Sequence, residues 1–185
     1  MPELPEVETT RCGIEPYLLN QCIRRVAVRQ PSLRWPVPQD LDEVFAGEKI
    51  LKVSRRAKYL LIEGASHTLI IHLGTSGSLR IVLNDSEPQK HDHLDIVLSN
   101  ERILRFRDPR RFGCVLYSEN SELSTHVLLA NLGPEPLDDT FSADYLFKQT
   151  RKRNVAIKNF IMNGNFVVGV GNIYASEALH MAGIM

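Results

Sequence analysis

The chain has 185 residues, 43% hydrophobic and 24% charged, with 22 Lys+Arg balanced by 22 Asp+Glu. This is the profile of a soluble globular protein able to bury one good core, or one core and a smaller unit. The apolar runs are far too short to span a bilayer, so no membrane partner is expected. Net neutrality gives no overall basic footprint. The charges are unevenly placed, however: MPELPEVE is acidic, while RRAK, RFRDPRR and KQTRKRN are basic. A local stripe of that kind can bind phosphate on a neutral protein. Cys12, Cys22 and Cys114 form no CxxC pair, and three cysteines suit the reduced thiols of a cytoplasmic protein. The acidic N-terminus lacks the positive start and apolar run of a secretory signal.

In chain order, residues 5 to 19 read as a helix, with Val7, Ile14 and Leu18 on one face and Pro5 in the first turn. Gly13 and Pro16 weaken its second half. Strands follow: RRVAVR, KILKVSR, YLLIE, TLIIHL, SLRIVL, LDIVLS, ILRFR and CVLYS, separated by breaks such as EGASH, LGTSG and LNDSEPQK. Many short strands at regular spacing predict an antiparallel sandwich or barrel. After residue 118 the texture turns helical. SELSTHVLLANLG, the stretch SADYLFKQTRKRNVAIKNFIMNG (one or two helices) and NIYASEALHMAGIM all read as helix, the last with Asn172 as N-cap. GPEPLDD is a linker. The expected division is a β-rich domain over 1–133 and a helical unit over 134–185, an α+β chain.

Several residues invite chemistry. Loss of Met1 would leave Pro2 with a secondary amine of pKa about 7.7–8, able to attack an electrophilic carbon and form an iminium ion. Glu3 beside it could move the accompanying proton. The same residues also suit a plain helix start with acids near the dipole's positive end. Lys58, between arginines and an apolar strand, is a phosphate contact, a proton-transfer amine or a solvated strand end. His91 and His93 in HDH fall on one side of a strand with Asp92 on the other. A metal would need a third ligand that is not evident nearby, so no metal site is expected. In RDPRRFG, an arginine beside a phenylalanine on a turn could fill the gap left by an extruded base, or simply flank a hairpin. VVGVGN places Gly169 and Gly171 before a helix, where a backbone N–H can meet an anion. Arg153 and Lys158 lie just upstream.

Taken together and in order, PELPEVET, RRAKYLL, HLGTSGSLR, KHDH, DPRRFG, NLGPEP and GVGNIYASEAL closely resemble bacterial formamidopyrimidine-DNA glycosylase. This is a base-excision repair enzyme for oxidised purines, and the resemblance runs along nearly the whole chain. It implies an N-terminal β-sandwich joined to an incomplete helix-two-turns-helix unit. It also implies a bifunctional glycosylase and lyase acting as a monomer on damaged double-stranded DNA. By the same resemblance Pro2 is the nucleophile, Glu3 the acid that helps open the sugar, Glu6 a support, and Lys58 a second catalytic lysine. His91, Arg110 and Arg153 contact DNA, and Lys158 and Asn172 grip phosphates. Arg110 and Phe112 belong to a void-filling wedge. Leu4 fits this branch, since the endonuclease VIII branch, which acts on oxidised pyrimidines, usually has glycine there. The family's GMSG loop carries a third wedge residue, and here that place is Thr75. The family also continues with a lesion-reading loop and a four-cysteine zinc finger, neither of which lies in these residues. The expectation is therefore a chain truncated in the helical unit, with impaired excision and no cofactor of its own. A non-enzymatic DNA-binding remnant and an endonuclease VIII-like enzyme are the alternatives.

Overall fold

A computed structural model describes residues 2–184. Helix α1 (Leu4–Leu18) leads into β1 (Ile23–Val28) and a short α2 (Leu41–Phe45), which the sequence reading did not anticipate. Seven strands follow: β2 (Lys52–Arg56), β3 (Tyr59–Glu63), β4 (His67–His72), β5 (Ser78–Leu83), β6 (Asp92–Leu98), β7 (Arg102–Arg107) and β8 (Cys114–Glu119). They form two antiparallel four-stranded sheets, ordered β1-β6-β7-β5 and β2-β3-β4-β8.

The core lies between the sheets. Val26, Leu94, Ile96, Leu104 and Phe106 of one sheet cluster with Val53, Leu60, Ile62, Leu69 and Ile71 of the other, and Val7, Ile14 and Leu18 of α1 join them. Burial of Ile14 and Leu18 outweighs the helix-weakening effect of Gly13 and Pro16, so α1 runs on through both. The second sheet is covered on its other face too: Leu61 and Ile70 pack with Leu129, and Tyr59, Leu123 and Leu132 flank them. Two-sided burial explains why YLLIE and TLIIH read as nearly continuous apolar runs.

The stretch SELSTHVLLANLG is not the expected α-helix. It is a 3-10 helix, Asn120–Thr125, followed by turns. Leu123, Leu129 and Leu132 are what the sheet needs, and their spacing of six and three does not fit one helical stripe. Thr125 also turns its hydroxyl onto the Glu122 carbonyl at 2.9 Å, a local bond that competes with helix. The region beyond carries α3 (Ala143–Thr150), α4 (Ile157–Ile161) and α5 (Asn172–Met181). Ser142 caps α3 by accepting from the Tyr145 N–H at 3.1 Å.

Candidate active site

The start of the chain is pinned to the start of α5. Glu3 is the N-cap residue of α1, and its carboxylate reaches beyond its own helix. One oxygen accepts from the N–H groups of Gly171 at 2.9 Å and Tyr174 at 3.1 Å, and the other from Ile173 at 2.8 Å. The Leu4 N–H donates to the Gly169 carbonyl at 3.1 Å. Glu3 is buried, and its own N–H donates to Glu6 Oε2 at 2.9 Å. Burial pushes the Glu3 carboxyl up. The three backbone donors, helped by the nearby Lys58 charge, more than offset this and hold it below the usual range.

Two sequence expectations change here. Gly171, not Asn172, is the N-cap of α5, and Asn172 is an exposed first helical residue. The anion at this helix N-terminus is the side chain of Glu3, so the two glycines serve a different end from phosphate approach. A Cβ on Gly171 would sit 2.4 Å from Glu3 Cδ. Gly169 has φ +80°, and a Cβ there would meet Leu4 Cδ1 at 2.3 Å. The GxG spacing exists to admit the N-terminal segment.

Lys58 converges on the same point from the other side. Its Nζ donates to the Val170 carbonyl at 3.1 Å, between the two glycines. Burial pulls its pKa below the ordinary lysine value, against the attraction of Glu3 and Glu6. The β2–β3 turn that carries it is held by Glu135, which accepts from the Ala57 N–H at 2.7 Å and pairs with Arg55 at 2.8 Å and Arg56 at 2.9 Å. The NLGPEP segment therefore contributes to the site by fixing the lysine turn. Pro2 is partly buried at the entrance to α1, and Met1, whose removal would free its amine, lies outside the described residues.

One residue was missed. His72 lines, with Lys58, Tyr59 and Gly169, a cavity of about 150 Å³. Burial, with Arg34 and Lys58 nearby, lowers its pKa to about 4, so it is neutral. Its Nδ1 accepts from the Gly74 N–H at 3.0 Å, leaving the proton on Nε2. The first letter of HLGTSGSLR was the available signal.

A second group of predicted residues gathers at the loop ends of the sandwich. His91 has φ +76° and precedes β6 rather than lying in it. His93 and Asp92 are both buried, so the expected alternation across a strand fails where the register shifts between Asp92 and Leu94. The two imidazoles still meet edge to face, 6.2 Å apart. The Arg110 guanidinium stacks over the exposed Phe112 ring at 4.7 Å. Thr75 is half-buried, and its Oγ1 is buried without a hydrogen-bond partner among the described residues. In the helical region Lys158 Nζ donates to Ser176 Oγ of α5 at 2.9 Å, and exposed Arg153 lies over Phe166 at 5.0 Å.

Residues 1–115 match the family model of the formamidopyrimidine-DNA glycosylase N-terminal domain, and residues 132–185 match that of the H2TH domain. The chain belongs to the formamidopyrimidine-DNA glycosylase family. It is 60% identical over its whole length to the formamidopyrimidine-DNA glycosylase of Thioalkalivibrio sulfidiphilus, covering 68% of that protein. It is 59% identical to that of Stutzerimonas stutzeri, covering 67%. Its fold superposes on Lactococcus lactis Fpg bound to DNA containing an abasic site with a TM-score of 0.92. That match has 32% identity and covers 99% of this chain and 68% of the other. The same enzyme with DNA containing formamidopyrimidine-dG matches equally well, with a TM-score of 0.92 and 32% identity over 99% of this chain and 69% of that one.

The family's four-cysteine zinc centre has no ligand set here. Cys12, Cys22 and Cys114 differ in burial, and they lie in α1, between α1 and β1, and in β8. Among the described residues no group of three or more His, Cys, Asp or Glu side chains could hold a metal ion. Zinc enters no step below. No helix of the described residues is long and apolar enough to cross a membrane.

Proposed function

We propose that this glycosylase removes oxidised purines from double-stranded DNA and then cleaves the strand, with the N-terminal amine of Pro2 as nucleophile. The observation that carries the reading is the convergence of Glu3 and Lys58 on Gly169–Gly171, which fixes the residue after the proline beside a half-buried, pKa-lowered amine. Positioning of this kind needs no movement of the groups during reaction.

Glu3 is ionised before substrate arrives, so it acts first as a base. It takes the proton of the Pro2 ammonium and frees the nitrogen lone pair for C1′ of the damaged nucleotide. As the N–C1′ bond forms, the base leaves with its electron pair and takes the proton still held by the proline nitrogen, while the carboxylic acid so formed returns its proton to the sugar ring oxygen. The ring opens and leaves an iminium ion at C1′. A base then removes a proton from C2′, and the 3′ phosphate leaves by elimination. Lys58 is suited to both ends of that step. Its lowered pKa makes the neutral amine more accessible, and its ammonium form, with the Nε2–H of His72, lines one cavity able to receive an anion. His91, Arg110, Phe112 and Thr75 meet the duplex around the emptied base position, and Arg153, Lys158 and Asn172 meet flanking phosphates.

The test is base release from duplexes bearing 8-oxoguanine, a formamidopyrimidine or an oxidised pyrimidine. Release of the two purine lesions ahead of the pyrimidine supports the reading. Preferential release of the pyrimidine, or of nothing, contradicts it.

A further inference from the structure

Asp108 is fully buried, yet its carboxylate serves no sheet bond. One oxygen accepts from Ser76 Oγ at 2.6 Å and from the Arg110 N–H at 3.3 Å, and the other accepts from the Gly113 N–H at 2.8 Å. Its backbone N–H donates to the His91 carbonyl at 3.1 Å, and its carbonyl accepts from His93 Nε2 at 2.7 Å. Three loops therefore meet on one residue: 74–77 with Thr75, 89–93 with His91, and 108–113 with Arg110 and Phe112. Ser76 Oγ adds a cross-tie by accepting from the Arg110 N–H at 3.1 Å. The loops also touch backbone to backbone, because a Cβ on Gly74 would lie 2.5 Å from the Gly113 nitrogen.

We infer that Asp108 is a positioning residue that locks the three loops into one rigid wedge, so that base extrusion depends on its carboxylate while cleavage at an already baseless site does not. The inference rests on the glycosylase reading above. The wedge tips have no apolar core of their own. Phe112 is 46% exposed, and among the described residues the Arg110 side chain is held only by stacking on it. Their order comes from polar ties, and both oxygens of Asp108 are spent on those ties. The sandwich core takes in Phe106 and Leu104 of β7, just before Asp108, and does not include Asp108. Losing the carboxylate loosens the wedge and leaves the sheets intact. A loose side chain fills an emptied stack poorly because ordering it costs entropy at the moment of insertion. An abasic site presents no base to displace.

The experiment compares the protein with Asp108→Asn and Asp108→Ala in three assays: 8-oxoguanine release, incision of a preformed abasic site, and borohydride trapping on that site. Asn keeps the shape and one acceptor, so it guards against a misfolded Ala variant. The expected result is excision slowed about tenfold or more, the scale of a lost hydrogen bond to a charged group, with incision changed by less than about threefold. Excision and incision falling together, or neither changing, would overturn the positioning role while trapping by the unsubstituted protein upholds the glycosylase reading. Absence of trapping by the unsubstituted protein would overturn both.

Discussion

Replacing Glu3 with Gln keeps the side-chain shape and removes the charge at the α5 N-terminus. In the native structure two oxygens take three backbone donors, at 2.8, 2.9 and 3.1 Å. A glutamine offers one oxygen, and its NH₂ must face at least one of those N–H groups. Leaving a buried donor unpaired costs about 1–3 kcal/mol. Removing a negative charge from a helix N-terminus costs about 0.3–1 kcal/mol more. The expected loss is therefore about 1.5–4 kcal/mol, a drop in the urea midpoint of about 0.75–2 M at a slope of about 2 kcal/mol/M. The pH dependence gives a second check. The folded pKa of Glu3 lies below its ordinary value of 4.5. Its stabilisation is therefore fully present above the unfolded pKa and is lost as pH falls through the folded one. Urea unfolding followed by circular dichroism at pH 7 should show the full gap between the two proteins. The gap should begin to narrow as pH falls below that ordinary value. Equal midpoints at pH 7, or a gap that widens on acidification, would refute the role given to the carboxylate.

Four further outcomes follow from the Glu3 contacts and from the loop that carries Thr75. Gly171→Ala drives a methyl into Glu3 and should destabilise by about 1–3 kcal/mol; in a Glu3→Ala background, the same thermal melts should show most of that cost gone. Thr75→Val removes a buried hydroxyl that has no partner among the described residues and should raise stability by about 1–2 kcal/mol in urea unfolding. Thr75→Met, which fills an emptied stack better, should lower the barrier to excision by about 1 kcal/mol in single-turnover assays. Lys58, followed by NMR of its side-chain nitrogen, should titrate below the ordinary lysine value of 10.5, and lower still in Glu3→Gln because Glu3 attracts the ammonium.

Much of this architecture was legible in the sequence because it rests on local pattern. The alternation of Val26 and Val28 with Arg25, Ala27 and Arg29 and the apolar runs at 59–63 and 67–72 mark strands whatever they pair with. Val7, Ile14 and Leu18 mark the face of α1. What stayed hidden depends on distant partners. The Glu3 carboxylate reads as first-turn chemistry of its own helix, but its donors lie 168 to 171 residues away. The same distance disguised Gly169 and Gly171 as a phosphate loop. Asp108 reads as a turn former before Pro109, and only the folded chain shows that it joins three loops. His72 sits at the end of an apolar strand, and its neutrality is set by burial with Arg34 and Lys58 nearby, which no spacing reveals.

Covalent trapping tests the central claim most directly. The protein is mixed with a duplex carrying one abasic site, reduced with borohydride, digested and mapped by mass spectrometry. The expected result is a single adduct on the peptide that begins at Pro2, formed only by chains that have lost Met1. An adduct on Lys58 instead, or equal trapping by chains that retain Met1, would contradict the assignment of the proline amine as the nucleophile.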